Sequence, residues 1–159
     1  MVTAERIEKT TLKNLLHNED YTRKVLPFLK PEYFDDRHER IVFSEIQKFI
    51  SQYNKRPTKE TLQIDIGKRK DLNEDEYKKI VDLVSTLNKE EIDLDWLVNT
   101  TEKFCKDRAI HNAVMNGIHI LDGKDKQHTP EAIPEILRDA LSVSFDNAVG
   151  HDYLLDIEK

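Results

Sequence analysis

"LDWLVNTTEKFCKDRAIHNAVMNGIHIL", residues 94–121, holds no proline and a single glycine, Gly117. A continuous helix over this stretch would run roughly 40 Å at 1.5 Å per residue. That is too long to lie wholly inside a small helical head, so the spacing predicts an arm. The stretch that follows, "DGKDKQHTP" (122–130), is polar, and Gly123 is suited to end the helix. Beyond it Ile133, Ile136, Leu137, Ala140, Leu141 and Phe145 recur at helical spacing and are expected on one face. Pro130 and Pro134 crowd the start of that second arm. A continuous helix would set the Pro134 ring against the carbonyl of residue 130, so the regular start is expected near Pro134. The two arms predict an antiparallel helical hairpin.

Working back toward the N-terminus, the periodicity is helical almost throughout, and four glycines and five prolines leave little room for hairpin turns. Ile7, Leu12, Leu15 and Leu16 give a first helix with Thr3 as candidate cap. A second segment runs through Tyr21, Val25, Phe28 and Leu29, loosened by Pro27 and ended by Pro31. Val42, Ile46, Phe49, Ile50 and Tyr53 form the stripe of a third helix. A fourth follows Thr58 and frays near Gly67, although the Leu62-x-Ile64-x-Ile66 alternation also suits a strand. The fifth starts at Asn73, with Glu76 placed to complete a capping box. The expected fold class is all-α, a small helical globular head followed by an antiparallel helical hairpin. The expected boundaries are residues 1–90 for the head, 91–146 for the hairpin, and 147–159 for the start of a linker.

The chemistry-bearing residues mostly reduce to structure. Asp35, Asp36, Arg37 and His38 stand side by side, but Asp36-x-x-Glu39 has capping-box spacing and a carboxylate there meets the positive end of the helix dipole. A helix start is favoured over a catalytic patch. His151-Asp152 has the dipeptide of metal-dependent phosphohydrolases, yet His17, His38, His111, His119 and His128 do not supply the further ligands such sites need. His111 and His119 lie two turns apart, too far for one metal. The lone cysteine, Cys105, excludes an internal disulfide and reads as a small core residue rather than a nucleophile. The glycines at 67, 117, 123 and 150 spell neither G-x-G-x-x-G nor G-x-x-x-x-G-K-[ST], so the chain holds no phosphate cradle. No catalytic, cofactor-binding or metal-binding residue is expected in it.

Charged residues make up 35% of the 159, with a net charge of -6, which argues against nucleic-acid binding by bulk electrostatics. One local exception is the set Lys55, Arg56, Lys59, Lys68, Arg69 and Lys70. It reads as a phosphate-contacting patch or a docking surface for an acidic partner, or as a solvated helix edge, and the interleaved Glu60, Asp65 and Asp71 favour the edge. No apolar run nears the roughly 18 residues of a membrane span, and a cytoplasmic location is expected.

The order "RIEKTTLKNLLHNEDY" (6–21), "PEYFDDRHERIVFSEIQKF" (31–49) and "RPTKETL" (56–62) resembles the N-terminal domain of DnaB-type replicative helicases. The distal stretches "DWLVNTTEKFCKDRAIHNA" (95–113) and "AIPEILRDALSVSFDNAVGHDY" (132–153) resemble more closely the replicative helicases of T-even bacteriophages, where they look like the two hairpin arms. The hairpin loop here is short by comparison. The resemblance implies a hexameric, ATP-driven DNA helicase translocating 5' to 3' in the host cytoplasm, with ATP and Mg held by a motor that would follow Lys159. This chain would then be a collar domain that carries subunit assembly, commonly as a trimer of dimers, and docks primase. It also implies an oligomer interface on Phe104, Ile110, Val114, Ile118 and Leu121 of one arm and Ile136, Leu137, Leu141 and Phe145 of the other, each equally able to pack within the hairpin. Two other readings stay open: a stand-alone helical adaptor or inhibitor of a phage, and a helical DNA-binding module using the Lys55–Lys70 patch.

Overall fold

The computed structural model describes residues 4–145, with side chains from Ile7 onward, and every regular element among them is helical. The seven α-helices are α1 (Ala4–His17), α2 (Glu19–Val25), α3 (Arg37–Tyr53), α4 (Lys59–Gly67), α5 (Glu74–Ser85), α6 (Leu94–Leu121) and α7 (Ile133–Leu141). Short 3-10 turns at Leu26–Phe28, Pro31–Tyr33 and Pro130–Ala132 each carry a proline in their first turn. Thr3 and residues 147–159, including His151-Asp152, lie outside the described residues.

The chain divides into two compact units, residues 1–101 and 102–159. In the first, α3 is central and packs against α1, α4 and α5. Its inner face buries Val42, Phe43 and Ile46 completely, and Phe43 stacks on Phe34 with ring centroids 4.9 Å apart. Thr101 belongs to this unit as well: its hydroxyl lies 2.6 Å from that of Tyr21, both residues are fully buried, and it donates at 2.8 Å to the Leu97 carbonyl. The first turns of α6 are thereby tied to α2. The imidazole of His17 closes the unit by donating through Nε2 to the Leu87 carbonyl at 2.8 Å.

The helix ends follow from local chemistry. Asp36 Oδ1 accepts from the backbone N–H of His38 at 2.7 Å and of Glu39 at 3.1 Å, so the Asp-Asp-Arg-His run is a helix start. Arg37 reaches across to Glu76 at 3.0 Å and ties the start of α3 to the start of α5. Asn73 and Glu76 exchange both bonds of a capping box, and Thr58 and Thr61 do the same for α4. The Leu62–Ile66 segment is helix, not strand: Leu62 and Ile66, four apart, are fully buried while Ile64 between them faces solvent.

In the second unit Gly123, at φ +80, ends α6; the N–H groups of Gly123 and Lys124 satisfy the carbonyls of Ile120 and His119. A carbon branch at Gly117 would sit 3.6 Å from Ile133 Cγ2, which places α7 against α6. At the far end, Glu102 Oε2 accepts from the Phe145 N–H at 2.9 Å and from the Ser144 hydroxyl at 3.2 Å. One expectation is corrected. Phe145 does not share a helical face with Ile133 and Ile136, because α7 stops at Leu141, where the Ser142 hydroxyl turns back to the Asp139 carbonyl. Phe145 is buried from the segment after the helix, and Leu141 points outward at 71% exposure.

Candidate assembly surface

Two apolar faces of α6 have different fates. Cys105, Ala109, Ala113 and Gly117 recur every four residues and are buried. These are small side chains, and small side chains let a neighbouring backbone approach closely. Ile110, Val114, Ile118 and Leu121 recur at spacings of four and three on another face and remain exposed, Val114 at 46% and Leu121 at 68%. Met115 widens that stripe and Leu141 adds an exposed leucine on α7. A run of large aliphatic side chains facing water on one helix is a surface that association would cover.

The predicted interface residues therefore separate into two groups. Ile110, Val114, Ile118, Leu121 and Leu141 are exposed, Ile136 and Leu137 are half-buried, and Phe104 and Phe145 are buried within the chain. The last two build the unit itself and have little surface left to offer a second copy. Met115 belongs with the exposed group and was missed, although its position three before Ile118 marks it as a helical neighbour. Trp96, 46% exposed in the first turn of α6, was also missed. It follows Asp93, whose carboxylate accepts its N–H at 2.8 Å and caps the helix.

The reactive groups are quiet. Burial pushes the Cys105 thiol up to about 12, with the Glu102 carboxylate adding to the shift. Almost no thiolate forms at neutral pH, and the thiolate is the nucleophile. Alkylation of Cys105 in the native chain is expected to be at least about a hundredfold slower than in the urea-unfolded chain. A stopped-flow or mass-spectrometric time course of thiol labelling measures this directly. No group of three or more metal-ligating side chains gathers among the described residues.

Most of the Lys55–Lys70 cations have internal partners. Arg56 donates to the Leu16 carbonyl at 3.1 Å, Lys59 to the Ser85 carbonyl at 3.1 Å, and Lys68 pairs with Asp65. Arg69 bridges Glu45 at 2.7 Å and Asp71 at 2.8 Å. Lys68 and Arg69, held by carboxylates, have less to give a phosphate, whereas the carbonyl bonds of Arg56 and Lys59 fix those cations without neutralising them, so the patch reads in part as a network joining α3, α4 and α5.

No family model matches the chain. Over 155 residues, 92% of its length, it is 34% identical to the DnaB-like replicative helicase of Enterobacteria phage T4. The resemblance to DnaB-type replicative helicases holds. The chain spans 32% of that relative's length, in keeping with the N-terminal helicase region that its sequence resembles. No helix among the described residues is long and apolar enough to cross a membrane.

Proposed function

We propose that this chain is the N-terminal collar domain of a hexameric, ATP-dependent DNA helicase, and that it carries subunit assembly and primase docking. The observation that supports this most is the exposed stripe Ile110, Val114, Ile118 and Leu121, standing in a chain 34% identical to a replicative helicase. A second copy related by a two-fold axis covers such a stripe by laying the same face against it, which makes a closed, self-complementary contact. The hairpin of α6 and α7 is the dimerising element, and the full ring is a trimer of such dimers. The isolated domain forms dimers but no stable hexamer, since ring closure draws further on linker and motor contacts. ATP and Mg belong to the motor, DNA threads the ring, and the assembly works in the host cytoplasm.

Primase binds the collar with an affinity raised by the several copies a hexamer presents, because linked sites increase effective concentration without new contacts. Primase stimulation by the full helicase, compared with a form lacking residues 1–145, tests this. Stimulation is expected to fall at least about tenfold in the truncated form. Equal stimulation by the two would rule out the collar as the primase site.

A further inference from the structure

We propose that the groove between α2 and the C-terminal end of α3 is a docking site for a short acidic segment of a partner protein, anchored by aliphatic side chains. The groove has a volume of about 640 Å³ and lies entirely within residues 16–58. It shares no residue with the stripe on α6, so it stands or falls independently of the assembly reading.

Its walls are apolar. Leu16, Leu26, Pro27, Ile50 and Pro57 line it, and Leu26 and Ile50 are only half-buried, leaving aliphatic surface for an incoming side chain. Its rim is cationic. Asn54 ends α3 in the left-handed region at φ 56, and the chain beyond it lines the groove with Lys55 and Arg56. Arg23 lines it from α2. The one carboxylate in the lining, Glu19, is taken by Arg23 in an ion pair. Arg56 is fixed by its bond to the Leu16 carbonyl, which neutralises no charge, and Lys55 is exposed. Three cations against one carboxylate leave two positive charges over, in a chain whose net charge is -6. An occupant that brings carboxylates to the rim and aliphatic groups to the floor complements both features. Single-stranded nucleic acid fits less well: no aromatic ring lines the groove, and bases bind such channels largely by stacking on aromatic side chains.

The test uses the whole chain and a fluorescein-labelled peptide of alternating leucine and aspartate pairs, followed by polarisation. Saturable binding is expected, weakened about tenfold by Lys55→Glu and by replacing the peptide aspartates with asparagine. Backbone amide shifts on titration are expected at Thr22, Arg23, Asn54 and Lys55, which reports the site without any substitution. Absence of binding overturns the proposal, as does equal binding by the asparagine peptide or by Lys55→Glu. Displacement of the peptide by an oligothymidylate at lower concentration than by unlabelled peptide assigns the groove to nucleic acid instead. Loss of self-association in Lys55→Glu assigns it to a second copy. Either result sinks the proposal.

Discussion

Val114→Asp is expected to leave the chain folded and to abolish its self-association. Val114 is 46% exposed in the single chain, so an aspartate there keeps its water and costs the monomer only a few tenths of a kcal/mol in helix propensity. In a dimer that closes over the stripe, the same carboxylate would be stripped of solvent among Ile110, Ile118 and Leu121. Burying an unpaired charge costs several kcal/mol. A penalty of about 3 kcal/mol already weakens association by more than about a hundredfold. The thermal midpoint at a concentration where the parent is monomeric should barely move. A substitution inside the core would behave in the opposite way, lowering the midpoint before it touched association. Sedimentation run beside circular dichroism separates the two.

The largest expected loss of stability comes from Arg69→Ala. Arg69 donates to Glu45 of α3 at 2.7 Å and grips Asp71 with two bonds at 3.0 and 2.8 Å. The Glu45 side chain is only 6% exposed, so removing its cation leaves a carboxylate buried without a partner. Breaking a buried pair from one side costs about 3–5 kcal/mol, and because Arg69 is itself 26% exposed the lower end, about 3 kcal/mol, is expected. Urea denaturation measures it. Arg69→Leu combined with Glu45→Leu should recover much of the loss, since no orphaned charge remains. The pH dependence has a definite sign. The hydrogen bond from Arg69 holds the Asp71 carboxyl below its ordinary value of 3.8. A carboxyl with a depressed native pKa contributes stability above its unfolded pKa and loses it as pH falls through the native value. The parent therefore loses this contribution below about pH 4, and the gap between parent and variant narrows there.

Where local chemistry decides the structure, the sequence is a sufficient guide. Asn73 with Glu76, Asp36 ahead of its helix, the unbroken run from Leu94 to Leu121 and Gly123 after it all act within a few residues, and each sits in the structure where spacing puts it. Periodicity fails where two periods coincide. Leu62, Ile64 and Ile66 satisfy both a two-residue and a near-four-residue repeat, and only packing against α3 and α5 selects the helix. Phe145 fails for another reason. Nothing in Ser142-Val143-Ser144 is a strong stop by residue type; the Ser142 hydroxyl turns back at the end of α7, and Glu102, more than forty positions earlier, then holds Phe145.

The surfaces were legible in part. The apolar residues of α6 can be counted in the sequence, but their division into a covered small-residue face and an exposed aliphatic face depends on where α7 returns, which Gly117 and Ile133 show only in three dimensions. Of the groove only Lys55 and Arg56 showed in the sequence, as part of the 55–70 basic set. Its walls come from residues 16–27 and 50–58, and neither stretch alone looks like a site.

Sedimentation equilibrium of residues 1–159 over a wide concentration range, with Val114→Asp run in parallel, tests the assembly role most directly. The expected result is a monomer–dimer equilibrium for the parent, with no hexamer, and a monomer for the variant throughout. A parent that stays monomeric at high concentration, or a variant that associates as well as the parent, would contradict it.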